Sequence, residues 1–467
     1  MSIQTRLCSP YEARLAIRED LGFYNAATIA AIYELDGVKF DLTSPSSWVQ
    51  PLKRSIKEYP SLAIAVKDKG TDKPSYELVP TIDLKHHITI LDSSISTGSD
   101  GDLPIIEKAL GAILDRNFSS SSSPPWNLTI LPLPTPAGAT TKRVFVSFLS
   151  SHSTSDGGAG LAFHKSLLEG LREQAAKGVD ENVDFTVTVP SQPIPEPFDT
   201  PERLPVAPEF LKALASASGP AAGVWTGSPV FLNESEGLHT RVRLLEIPAS
   251  VVEGALAASK SHGAKLTGTI HQLIVRALSR ALPDGAATSF SSQTAIDLRN
   301  AAGVGLQWGI YVSGVSESHP RLDAATLSGP LTQDQWDAAG KLSAKLSEAS
   351  GRLENQPIGL LKFVPSHRDS MKTKIGAPRD GSYSVSNMLA FDGGKAGGIS
   401  ISNLVVGSSA AVPSAPLSFC IVSVQGGSMI ISVNWQPGAT GLPVEKEDAF
   451  ISDIFKSLEG DFKLLSA

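Results

Sequence analysis

A proline-rich segment constrains the fold of this 467-residue chain more than any other feature. Seven prolines fall among the nineteen residues from Pro190 to Pro208. Proline lacks a backbone N–H and disfavours helix in the residue before it, so the segment predicts an extended connector. Because the chain is too long for one ordinary core, we expect two domains. We place them at 1–190 and 209–467, joined by the connector 191–208.

The segments on both sides of the connector mix predicted strands with predicted helices. Short apolar or alternating runs bounded by turn residues indicate strands, and longer runs with helical periodicity indicate helices. The main predicted strands are 27–35, 128–131, 144–149, 241–247, 289–296, 310–315, 417–424 and 429–435, and the main predicted helices are 47–58, 104–116, 267–282, 333–349 and 445–458. The fold class is therefore predicted as mixed α/β, with two domains of similar size.

Composition and charge exclude several classes of protein. A net charge of −7 argues against nucleic acid as the main partner, because nucleic-acid-binding proteins usually present a basic surface. The N-terminus lacks the apolar region of a signal peptide, and no segment has the length and hydrophobicity of a membrane span. The two cysteines, Cys8 and Cys420, cannot build a disulfide framework. We expect a soluble, cytoplasmic protein that does not bind membranes.

One short motif predicts the chemistry. His152 and Asp156 are separated by three residues and followed by Gly157 and Gly158. A strand-like run, 143–149, precedes the motif, and a helix-like pattern follows it. The motif therefore lies where a strand ends and a helix begins, which fixes the imidazole while leaving one side of it open.

Residue types of this kind suit acyl transfer to a hydroxyl group. Neutral histidine has a pKa suited to removing the proton of an alcohol, so His152 is the predicted general base. Backbone N–H groups at a glycine-rich helix start can stabilise an oxyanion, which gives Gly157 and Gly158 their predicted role. Asp156 lies at the turn, where we expect it to hold the loop through an ion pair.

Other conspicuous residues carry weaker signals. No cysteine and histidine cluster has the spacing of a zinc site, so no metal is predicted. His164, on the helix after the motif, is expected at the helix surface or in packing. Trp308 and Tyr311 are expected in the core rather than in a pocket.

Beyond the motif, several segments resemble a known superfamily. The motif resembles that of the His-x-x-x-Asp-Gly acyltransferases, the chloramphenicol acetyltransferase-like superfamily, and the likeness is closest to the fungal alcohol acetyltransferase-like branch. Ile296-Asp297-Leu298-Arg299 is similar to the Asp-Leu-Arg element of this superfamily, and Ser386-Asn387 is similar to its Ser-Asn signature.

This resemblance implies a fold and an activity. It implies two similar chloramphenicol acetyltransferase-like domains, with a tunnel and the active site at their interface. An acyl-CoA such as acetyl-CoA would be the co-substrate, without a permanently bound cofactor, and a small-molecule alcohol, a specialised metabolite, would be the acceptor. Arg299 would pair with Asp156, and Ser386 and Asn387 would lie near the tunnel. Two halves sharing one site would allow a monomer to work.

Two alternatives stay open. The first is a condensation-type enzyme that joins a carrier-protein thioester to an amine or alcohol. Condensation domains usually have a second histidine just before the motif, and this chain has Ser151 there. The second is a catalytically idle member of the superfamily that only binds a ligand.

Overall fold

The computed structural model of the protein describes residues 4–38, 41–92, 101–135, 141–178, 183–215, 219–232, 239–394 and 398–466. Within these ranges the strands are β1 Thr5–Leu7, β2 Ala27–Leu35, β3 Ile64–Lys67, β4 Ser75–Leu78, β5 Thr81–Asp83, β6 Ile88–Ile90, β7 Trp126–Leu133, β8 Lys142–Ser150, β9 Thr186–Thr188, β10 Arg241–Ile247, β11 Ser289–Asp297, β12 Val312–Pro320, β13 Tyr383–Phe391, β14 Ile399–Ser408, β15 Leu417–Val424 and β16 Met429–Trp435. The helices are α1 Pro10–Asp20, α2 Ser46–Glu58, α3 Asp102–Leu114, α4 Gly157–Lys177, α5 Pro208–Ala215, α6 Ala249–Ser261, α7 Leu266–Ala281, α8 Gln333–Ser350, α9 His367–Lys372 and α10 Val444–Leu465. The predicted mixed α/β class is confirmed.

A five-stranded sheet with the order β14-β2-β8-β7-β6 forms the centre of the first half. β2 and β8 are apolar along most of their length and are buried on both faces, because α2 and α4 pack on one side and α3 on the other. Their antiparallel register pairs Ala27 with Ser150, which places the carboxyl end of β8 beside the start of β2. The motif loop leaves the sheet at this point.

A six-stranded sheet with the order β10-β16-β15-β13-β11-β12 forms the centre of the second half. β13 runs parallel to both of its neighbours, β11 and β15, and the other pairs are antiparallel. Helices α7, α8 and α10 cover this sheet with buried leucine, isoleucine and phenylalanine side chains. Two small sheets, β1-β4-β3 and β5-β9, complete the first half.

β14 joins the two halves of the molecule. It follows β13 in the chain, yet it pairs with β2 along its whole length, from Ile399 opposite Leu35 to Ser408 opposite Ala27. It also contacts β15 and β16 of the second sheet, where the Ser432 hydroxyl donates to the carbonyl of Val406 at 2.5 Å. The first sheet is therefore completed by a strand from the second half of the chain.

The connector has the form that its prolines predict, since the chain makes neither helix nor strand between Thr188 and Pro208. The division into domains at 1–190 and 209–467 stays a prediction.

The predicted strand at 310–315 starts later than expected, at Val312, because the backbone amide of Tyr311 donates a hydrogen bond to the side chain of Asp156 instead of to a neighbouring strand. None of the helices within the described ranges offers an uninterrupted apolar stretch of membrane-spanning length.

Candidate active site

Serine hydroxyls shape the loop between β8 and α4. The Ser150 and Ser155 hydroxyls lie 2.7 Å apart, and so do those of Ser151 and Ser153. The Ser151 hydroxyl also donates to the carboxylate of Glu19, on α1. Small side chains that bond to one another and to the backbone satisfy the polar groups of a buried turn, which explains why serine recurs here.

Both halves of the chain hold this loop in place. The Tyr76 hydroxyl, on β4, donates to the carbonyl of Ser153. From the second half, the Trp308 indole donates to the carbonyl of Thr154 at 3.1 Å. Trp308 is buried and belongs to the core of the first half, although it lies far away in the sequence.

His152 lies at the centre of the loop and is partly exposed. Its Nδ1 atom is buried and has no well-formed hydrogen bond within the described ranges, while Nε2 is neither sealed from solvent nor bonded. Burial lowers the pKa of His152 to about 4, and the charge of Arg18 contributes to the decrease. The backbone carbonyls of His152 and Ser155 act in the opposite direction. The imidazole is therefore neutral near pH 7, with Nε2 reachable.

Asp156 is the N-cap of α4 and is buried. Its Oδ1 accepts the amide of Ala159 at 3.0 Å, as expected for a capping carboxylate. The amide of Tyr311 donates to Oδ2 at 2.8 Å, which explains why β12 begins only at the next residue. Asp156 therefore ties the start of α4 to the second half of the chain.

The structure places Arg299 against Asp156. Its two terminal nitrogens bind the two carboxylate oxygens at 2.7 Å and 2.9 Å, in the bidentate geometry that guanidinium groups favour. Arg299 also donates to the carbonyls of Gln307 and Gly309 and packs over the Tyr311 ring at 4.7 Å. Arg299 is 4% exposed, so water screens this ion pair little.

Gly157 and Gly158 occupy the first two positions of α4. Neither amide has an acceptor within the described ranges, because the first turn of a helix lacks internal partners. A Cβ at Gly157 would lie 2.5 Å from the sulfur of Met388, and one at Gly158 would collide with the Arg299 guanidinium. Gly158 therefore cannot be replaced without moving the buried Arg299 guanidinium, whereas a side chain at Gly157 would have to displace the end of Met388.

Ser386 and Asn387 lie on β13, at a bulge in its pairing with β15. The Asn387 amide donates to the Thr267 hydroxyl at 3.0 Å, and its oxygen accepts the amide of Leu389 at 2.9 Å. The bulge brings Met388 against Gly157. The side chain of Ser386 is half-buried and makes no hydrogen bond to any residue whose position is described.

Residues of the N-terminal segment, which were not predicted from the sequence, also lie at the candidate site. The ring of Tyr24 lies 5.9 Å from that of His152, and the Arg18 guanidinium lies 4.2 Å from the Tyr24 ring centre. A capping box at Ser9 and Glu12 signals the start of α1, but no local signal shows which element this helix faces. His164 is fully buried, so its expected place on the helix surface is wrong and its role in packing is correct.

The alcohol acetyltransferase family model matches residues 107–451, well over half of the chain. The probable alcohol acetyltransferase crmB of Aspergillus fumigatus is 24% identical over 92% of this chain and 93% of its own length.

Many solved structures share the fold, among them an acetyltransferase and a condensation domain. The TRI3 trichothecene 15-O-acetyltransferase of Fusarium sporotrichioides matches with a TM-score of 0.68 and 14% identity, over 99% of this chain and 95% of its own. The starter condensation domain of rhizomide synthetase, solved in complex with C8-CoA, matches with a TM-score of 0.62 and 14% identity, over 98% of this chain and 95% of its own. The predicted chloramphenicol acetyltransferase-like fold is confirmed, and the chain is an acyltransferase that belongs to the alcohol acetyltransferase family.

Proposed function

We propose that the protein transfers an acyl group, acetyl in the first instance, from acyl-CoA to the hydroxyl of a small-molecule alcohol of specialised metabolism. The observation that carries this proposal is the neutral, reachable Nε2 of His152 at the end of β8, beside the free amides of α4. The C8-CoA complex of the rhizomide condensation domain supports coenzyme A thioesters as donors. Because one chain supplies all these groups, we propose a monomeric enzyme, and we place it in the cytoplasm.

The reaction proceeds without an acyl-enzyme. As the alcohol oxygen attacks the thioester carbonyl carbon, Nε2 of His152 takes the hydroxyl proton. The carbonyl oxygen becomes an oxyanion, which the amides of Gly157 and Gly158 stabilise. The carbon–sulfur bond then breaks, and the imidazolium returns the proton to the leaving thiolate, giving the ester and free coenzyme A.

The remaining predicted residues support this geometry. Asp156 and Arg299 hold the start of α4 against the second half of the chain, so the amides stay aimed at the reacting carbonyl. Asn387 holds the bulge of β13, which sets the position of Met388 over Gly157. We assign Ser386 a supporting role on the same strand.

The proposal is tested with a His152→Ala variant. Ester formation from acetyl-CoA and a panel of primary and secondary alcohols is followed by mass spectrometry and by release of the coenzyme A thiol. We expect the variant to lose about 10²–10⁴-fold in rate, the usual contribution of a general base. The exposed His86→Ala variant is the control and keeps the wild-type rate. Unchanged turnover in His152→Ala would contradict the assignment of the base.

Two further measurements separate the alternatives. A carrier-protein acyl thioester in place of acyl-CoA tests for a condensation-type reaction, to which the rhizomide domain is a structural precedent. If the acyl group is transferred from the carrier-protein thioester but not from acyl-CoA, the donor is the carrier protein and not coenzyme A. An idle, ligand-binding protein would consume neither thioester.

A further inference from the structure

Two arginines of helix α1 have no acidic partner among the residues that the structure describes. Arg14 and Arg18 are four residues apart, so they lie on one face of the helix. Neither makes a hydrogen bond or ion pair with any residue whose position is described. Arg6, just before the same helix, is by contrast held by both carboxylate oxygens of Glu12. Two unpaired cations on one helix face repel each other, so their presence requires an explanation.

Both arginines are half-buried; Arg18 lies beside the candidate active site, and Arg14 lies one helical turn before it. The Arg18 guanidinium stacks on the ring of Tyr24, which lies next to the ring of His152. The Nε atom of Arg18 is buried without a partner, while its terminal nitrogens keep contact with solvent. Burial lowers the pKa of Arg18 to about 10, and Arg14 contributes to the decrease. The group nevertheless stays charged near pH 7.

The acidic groups near these arginines are already bound by other cations. Glu19 is held by Lys69 at 2.7 Å and by the Ser151 hydroxyl. Asp380, which lies near Arg14, is held by Lys374 at 2.5 Å. Burying guanidinium groups without a counter-charge is costly. The region beside His152 therefore has an excess of positive charge that an anionic ligand would neutralise.

We propose that Arg14 and Arg18 bind a carboxylate of the acceptor substrate. This inference rests on the proposed function, since that function places an alcohol at His152. The acceptor is then a hydroxy acid whose carboxylate meets the two guanidinium groups while its hydroxyl meets Nε2. The phosphates of coenzyme A do not fit this role, because the whole pantetheine arm separates them from the thioester that must reach His152. Because a bidentate guanidinium contact fixes the orientation of a carboxylate, it would also orient the hydroxyl of the same molecule towards Nε2 of His152.

The test measures binding, so it does not depend on turnover. Isothermal titration compares benzoate with benzamide, and hexanoate with hexanamide, for the wild-type protein. We expect each acid to bind at least tenfold more tightly than its amide, and the Arg14→Met/Arg18→Met variant to lose this preference. Arg352→Met, at an exposed arginine paired with Glu348, is the control and keeps it. Equal affinities of acid and amide for the wild-type protein, or no binding of either acid, would overturn the proposal.

Two further results distinguish the source of the carboxylate and the role of Arg18. Benzoate should still bind when coenzyme A is saturating, and neither malonyl-CoA nor acetyl-CoA should displace it. Displacement by malonyl-CoA alone would assign the site to the acyl group and overturn an acidic acceptor. The proposal would likewise be overturned if the Arg14→Met/Arg18→Met variant kept its preference for acids over amides and only the pH dependence of its transfer rate shifted. Arg18 would then act on the pKa of His152 and not on the ligand. Thermal unfolding of each variant confirms that it is folded.

Discussion

Asp156 accepts donors from three separate parts of the chain. Its carboxylate caps α4, pairs with both terminal nitrogens of Arg299 and binds the amide of Tyr311. Removing one partner of a buried ion pair costs more than the pair itself contributes, because the other charge stays buried without compensation. Substitution of Asp156 should therefore lower the free energy of unfolding much more than substitution of an exposed carboxylate does.

The contrast with Asp297 provides a matched prediction. Asp297 also contacts a terminal nitrogen of Arg299, at 3.1 Å, but its side chain is 57% exposed. We expect Asp156→Asn to lower the free energy of unfolding by about 3 kcal/mol and Asp297→Asn by less than about 1 kcal/mol. Urea unfolding followed by fluorescence measures both. Equal losses for the two variants would show that the buried carboxylate has no special role.

At the residue scale, local signals in the sequence predicted the strand and the helix on either side of the motif. His152, Asp156 and the two glycines form one short motif, and the elements that flank it are strongly patterned. Arg18 and Tyr24 lie more than a hundred residues away on α1 and in the turn that follows it. Which face of α1 meets the site depends on tertiary packing, and a single sequence does not encode that packing in any local pattern.

At the scale of elements, the patterned strands were predicted best. The strands at 241–247, 417–424 and 429–435 have the bounds that were predicted, because apolar runs end there at turn residues. The final helix was predicted to end at residue 458 but continues to Leu465. Its extension is stabilised by long-range contacts, since Phe462 is buried and Asp461 binds Arg280 at 2.6 Å.

Two helical glycines give a prediction about how α4 packs. Gly170 faces α2, where an added Cβ would lie 2.7 Å from the Cα of Pro51, whereas Gly460 on α10 has open space around it. Alanine favours helix over glycine by about 1 kcal/mol, so Gly460→Ala should stabilise the protein by about that amount. Gly170→Ala should instead destabilise it by about 1–3 kcal/mol through overpacking. Denaturant midpoints measured under identical conditions check both signs, and stabilisation by Gly170→Ala would contradict the tight α2–α4 contact.

At the scale of the whole molecule, buried histidines make stability depend on pH. Burial lowers the pKa of His271 to about 3, and those of His87, His152, His164 and His319 to about 4. In the unfolded chain, histidine has a pKa of about 6.5. As the pH falls from 6.5 towards 4, the unfolded chain therefore binds protons that the folded protein does not. The free energy of unfolding should decrease over this interval and be independent of these groups above it.

A His164→Gln variant isolates one of these contributions. His164 is fully buried between the Tyr33 hydroxyl and the carbonyl of Ile29, both at 2.8 Å, and lies outside the proposed chemistry. We expect the variant to lose less stability between pH 6 and pH 5 than the wild-type protein, by about 1 kcal/mol. Urea unfolding at pH 7, 6 and 5 measures the slope. The exposed His86→Gln variant serves as control, and an unchanged slope in His164→Gln would refute the assignment.

The position of β14 has a consequence for synthesis on the ribosome. The strand that covers the outer edge of β2 is Ile399–Ser408, which is translated long after Ala27–Leu35. During most of elongation, a long apolar strand edge is thus left open, and open edges promote aggregation. Until β14 has been synthesised, this edge of β2 is therefore a site at which nascent chains can associate.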